Sequence, residues 1–93
     1  MDTIALKLSV SFIKENEQFV AFSPALDLST SGRNLEEAKK HFEEAVQLFF
    51  EELKERGTTK EVLMNLGWTQ KDNDLVPPMI ISQELESIRV PAF

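Results

Sequence analysis

One long amphipathic segment governs what this sequence can become. Leu35, Ala38, Phe42, Ala45, Phe49 and Leu53 recur at three- and four-residue steps, the spacing that gathers apolar side chains onto one stripe of an α-helix. Val46 and Phe50 widen the stripe on one side. Both ends carry stop signals. Asn34 is an N-cap residue whose side chain can accept a hydrogen bond, and Glu37 stands where it can reach back to the cap amide. Gly57 occupies the place of a left-handed C-terminal cap, with Lys54 and Arg56 in the preceding turn to favour the helix dipole. The spacing predicts a helix from Leu35 to about Arg56. Gly32, just upstream, is expected to let the chain turn with a positive φ. In a chain of 93 residues this helix belongs to one small domain, spanning residues 1–93, and its stripe must be buried on something.

The partner surface lies upstream. Ile4, Leu6, Leu8, Val10 and Phe12 fall on alternate positions, so residues 3–13 read as a strand with one buried face. Residues 14–18 are a polar turn, and residues 19–23 form a second, antiparallel strand. Phe19 and Ala21 point one way and Val20 and Phe22 the other. A strand apolar on both faces is usually central and covered twice. Pro24 interrupts, and residues 25–31 place Leu26, Leu28 and Thr30 on one face of a third strand at an edge.

Thr58 with Glu61 starts a short second helix that stops at Gly67. Residues 69–74 read as a loop, the chain extends again at Pro77 and Pro78, and residues 87–91 form a closing strand carrying Ile88 and Val90. The order β-β-β-α-α-β gives an α+β domain. It has an antiparallel three-stranded sheet, a closing C-terminal strand, and one long helix packed on one face. One helix covers one face only. The other can be covered in part by Val62, Leu63 and Leu66 of the short helix, or by a second chain. Leu48, off the core stripe, and Phe50, at its margin, are candidates for a self-association or partner surface, and a homodimer is expected.

Charge narrows the partners. Ten basic against sixteen acidic residues give a net charge of −6, with no Lys/Arg cluster. Such a chain repels nucleic acid at physiological salt and suits a basic protein. Zero cysteines exclude disulfides and thiolate metal sites. No apolar run is long enough for a membrane span and no basic-then-apolar leader opens the chain, so the cytoplasm is the expected location.

Chemistry is scarce. His41 is the single histidine, with Glu37 one turn before it and Glu44 three residues after, too few donors for a metal site. No motif places a nucleophile beside it. The glutamate pairs at 36–37, 43–44 and 51–52 recur two turns apart on the face opposite the Phe stripe, as a solvated helix face does. Gly32 lacks the further glycines and the Lys-Ser/Thr of a phosphate loop. Ser29, Thr30 and Ser31 suit turn and strand-edge roles. The expectation is a binding protein with no catalytic, cofactor or metal site.

The hairpin, the segment SGRNLEEAKKHFEEAVQLFFEEL and the stretch VPPMIISQELESIRVP together resemble the HicB-like antitoxin family. The matching elements are Phe19–Phe22, Leu26–Leu28, Thr30–Gly32, Asn34 as the cap, Glu37-Ala38, and Gly57. The resemblance assigns Gly32, Asn34, Glu37 and Ala38 to the family's strand-to-helix junction. It implies a partial ribonuclease-H-like fold and an antitoxin that occludes a small basic HicA-type toxin, which cleaves messenger RNA. Two departures stand out. PALDLS occupies the place where many members carry Pro-Gly-Cys, and no helix-turn-helix or ribbon-helix-helix follows the domain. Self-sufficient operator binding is therefore not expected. A nuclease would need carboxylates converging from sheet and helix. The first strand offers Lys7, Ser9 and Ser11, with no Asp or Glu between Asp2 and Glu15. The alternative is a solitary homo-oligomeric structural or regulatory protein with no toxin.

Overall fold

A computed structural model describes residues 6–93. It is α+β. Strands β1 (Ser11–Glu15), β2 (Gln18–Ser23) and β3 (Leu28–Gly32) form an antiparallel sheet in the order β1-β2-β3, with the doubly apolar strand in the middle. Helix α1 (Leu35–Arg56) follows, then α2 (Thr59–Asn65) and a separate hairpin of β4 (Thr69–Lys71) and β5 (Asp74–Val76).

The sheet is shifted along the sequence from its expected place. Ser11 pairs with Phe22, and Pro24 follows β2 at once, so residues before Ser11 have no strand to pair with. Pairing instead runs forward to Glu15 and Gln18 around a tight turn in which Asn16 adopts φ 57°, a conformation Asn tolerates better than most residues. The alternation survives without the strand: Leu8 and Val10 still pack on the core. Ile4 of the expected strand lies outside the described residues. The third strand starts at Leu28 rather than at residue 25. Residues 24–27 form a turn held by Leu26 N–H to Ser23 O and Asp27 N–H to Pro24 O, both 3.4 Å, with Asp27 at φ 50°.

α1 has its expected bounds. Its stripe lies on the face of the sheet that carries Ala21 and Phe19. Ala21, Ala38 and Phe42 form one buried cluster, supported by Val10, Phe19, Leu28 and Val46. A second cluster joins Ala25, Leu26, Leu53, Leu63 and Trp68, with Phe49, Phe50, Val62 and Leu66 against it. The short helix therefore closes the far end of α1 over the 24–27 turn, and its Val62, Leu63 and Leu66 are spent there. Val20 and Phe22, on the opposite sheet face, belong to neither cluster.

The C-terminal third departs furthest from expectation. The region read as a loop contains the β4–β5 hairpin, folded about Asp72 (φ 56°) and Asn73. Of the two turn residues only Asp72 is left-handed, a conformation Asp tolerates better than most residues. The closing strand over 87–91 does not form. Residues 77–93 have no regular secondary structure, and residues 81–93 are exposed throughout.

Candidate interaction surface

The strand-to-helix junction is a tightly fixed piece of backbone. Asn34 is the N-cap, its Oδ1 accepting from the Glu37 amide at 2.8 Å. The Glu37 carboxylate does not return to the cap amide as a capping box would. It accepts instead from the Arg33 amide at 3.0 Å and the Arg33 guanidinium at 3.2 Å. The Arg33 amide first, and the Arg33 side chain second, hold the Glu37 pKa below its ordinary value. Thr30 Oγ1 donates to Ala38 O at 3.1 Å, and His41 Nδ1–H donates to Ser31 O at 2.7 Å. Two side chains thus stitch β3 to the first turns of α1.

Gly32 plays a different part from the one its sequence position suggests. Its φ is not positive: among the described glycines only Gly57 and Gly67 adopt such values, at 68° and 97°. Glycine is needed at 32 for proximity. A Cβ there would lie 2.5 Å from Ala38 N and 2.8 Å from Glu37 C, both backbone atoms. The junction residues Gly32, Asn34, Glu37 and Ala38 are brought together, but as a scaffold and not as an open site, since Gly32 and Ala38 are buried.

Leu48 and Phe50 part company. Phe50 turns inward, edge-on to Phe49 (ring centroids 5.6 Å apart) and to Trp68 (6.4 Å). Leu48 points to solvent and is 66% exposed. It sits in a shallow depression lined by Glu51, Glu52, Glu55 and Arg56. Arg56 is occupied by Glu52 at 2.8 Å. The carboxylates of Glu51 and Glu55 continue the stripe beyond Leu48 toward the C-terminal end of α1.

Trp68 is the residue that sequence reasoning passed over. It is buried, and its Nε1–H donates to Ala25 O at 2.7 Å across 43 residues of sequence. Its signal was available: it is the one tryptophan, and it follows Gly67 directly after the short helix.

A second apolar surface is the sheet face away from α1. Strand pairing puts Ile13 opposite Val20 and Ser11 opposite Phe22, all on that side, with Ile13 exposed. The chain's own C-terminal segment covers one end. The Ile80 amide donates to Ser9 Oγ at 3.1 Å, and Gln83 Nε2 donates to Ser11 Oγ.

Among the described residues, no group of three or more His, Asp or Glu is placed to hold a metal ion, and no helix is long and apolar enough to cross a membrane. His41 belongs to the junction through its bond to Ser31 O. Compared with known proteins, the chain matches no family model, no curated protein and no solved structure.

Proposed function

We propose that this chain is a protein-binding module of the HicB-like antitoxin type, acting in the cytoplasm to neutralise a small basic toxin that cleaves messenger RNA. The observation that carries the reading is the Leu48 depression: an exposed leucine at one end of a helix stripe that continues through Glu51, Glu52 and Glu55. A partner that places an apolar side chain on Leu48 and lysines or arginines on the glutamates gains both burial and charge complementarity. The net charge of −6 extends the attraction to longer range. The antitoxin identity itself rests on the resemblance around Gly32, Asn34, Glu37 and Ala38.

The test is genetic and direct. The small basic protein encoded beside this chain's gene is expressed alone and then together with this chain. Growth arrest with loss of messenger RNA in the first case, relieved in the second, is the expected result. A neighbouring basic protein that is harmless alone, or the absence of any such neighbour, contradicts the reading.

A further inference from the structure

We propose that the outer edge of β1 binds a protein partner by strand addition, taking an extended segment that alternates acidic with apolar residues. β1 is an edge strand in the order β1-β2-β3. Natural edges are usually blunted by charge, proline, bulges or a covering element. The middle of this one is not: Phe12 and Ile13, on opposite faces, are 42% and 49% exposed. A strand apolar on both faces belongs between two neighbours. Only β2 flanks it here. Among the described residues, Ser11–Glu15 makes no backbone hydrogen bond beyond its pairing with β2.

The phase of the hairpin decides which groups stand free. A two-residue turn joins Glu15 to Gln18, so that pair exchanges backbone bonds, as do Ile13 with Val20 and Ser11 with Phe22. The N–H and C=O of Phe12 and Lys14 therefore point away from β2. The far edge of the sheet fits the same phase: Ser31, opposite Val20, has its carbonyl free to accept from His41. That bond, with the one from Thr30 to Ala38, holds α1 over β3. β1 has no such cover. Phe12 stands opposite Ala21 on the α1 side of the sheet, yet Ala21 is fully buried and Phe12 is open.

The chemistry of the edge selects the partner. Lys39 reaches across from α1 with its Nζ 5.4 Å from the centroid of the Phe12 ring, and Lys14 Nζ stands 5.9 Å from that of Phe19. Neither lysine takes part in a salt bridge among the described residues. On a chain of net charge −6, this side of β1 presents an aromatic ring and two unpaired cations, while Glu15 alternates to the other face. An added strand sets every second residue on the α1 side, where Asp or Glu meets Lys14 and Lys39. The residues between lie beside Ile13, where apolar side chains gain burial. Lys39 and Leu48 are about two and a half turns apart, on opposite sides of α1. The edge is therefore separate from the toxin-binding surface, and either can fail without the other.

The test uses two end-capped synthetic peptides, one alternating Asp with Val and one alternating Lys with Val, titrated into the isotope-labelled full chain. The Asp–Val peptide is expected to bind saturably and to slow solvent exchange of the Phe12 and Lys14 amides, and the Lys–Val peptide to bind more weakly. Lys14→Glu/Lys39→Glu should bind the Asp–Val peptide at least about tenfold more weakly, with a far-UV circular dichroism spectrum like that of wild type. Lys60→Glu/Lys71→Glu, which changes the net charge equally, should bind it as wild type does. Absent binding, equal weakening in both double variants, or unchanged exchange at Phe12 and Lys14 overturns the proposal. So does protection of those two amides in the free chain as its own concentration rises, which would put a second copy on the edge.

Discussion

At Gly32 a single methyl group has nowhere to go. The atoms it would strike belong to the backbone of Glu37 and Ala38 and cannot swing aside, so α1 itself must shift off the sheet. Gly32→Ala is expected to lower stability by about 1–3 kcal/mol, the usual cost of overpacking, measured as a lower urea midpoint. Asn34→Ala removes the cap bond to the Glu37 amide, and its expected cost is about 1 kcal/mol with an unchanged denaturant slope. Glu37 makes a prediction in pH. Its pKa is depressed in the fold by the Arg33 amide and then the Arg33 side chain. Its contribution is therefore present above the unfolded value, near 4.3 for glutamate, and lost as pH falls through the lower folded value. Wild type should lose more stability than Glu37→Gln between pH 5 and pH 3 in matched urea melts. At this scale the sequence was legible in chemistry but not always in reason. Asn34 caps as expected, while Gly32 is glycine because of a close approach that only three dimensions reveal.

Elements were most legible where local signals agreed. α1 carries a stripe and two end signals, and its bounds match. β1 and β3 were displaced because a strand's limits are set by its neighbour: Pro24 ends β2, and that fixes where both flanking strands begin. The β4–β5 hairpin was hidden because each strand is only three residues long and β4 is wholly polar, leaving only the Asp72-Asn73 turn as evidence. Trp68 was hidden because its partner, Ala25 O, is 43 residues away. That bond ties the 24–27 turn to the segment after α2. Trp68→Phe keeps an aromatic ring but leaves a buried carbonyl without its donor, at an expected cost of about 1–3 kcal/mol. Chemical denaturation followed by circular dichroism would measure it, and wild-type tryptophan fluorescence should unfold at the same midpoint if this corner belongs to the cooperative core.

For the whole molecule the decisive feature is what the fold leaves uncovered. α1 and α2 spend most of their apolar side chains on two clusters, while Leu48 and the Ile13 end of the sheet face away from α1 stay open. No metal-ligating cluster is placed among the described residues, and the polar groups of the junction are engaged in holding β3 to α1. On α1, exposed Leu48 stands at one end of a stripe that carries Glu51, Glu52 and Glu55. The most direct measurement is calorimetric titration of the proposed partner, a small basic protein encoded beside this chain's gene and held in an inactive form, into wild type and into Glu51→Lys/Glu55→Lys. Wild type should bind at micromolar or tighter affinity and weaken as salt is raised. The charge reversal should weaken binding by at least 100-fold while leaving the melting temperature within a few degrees. Equal binding by both proteins would contradict the account.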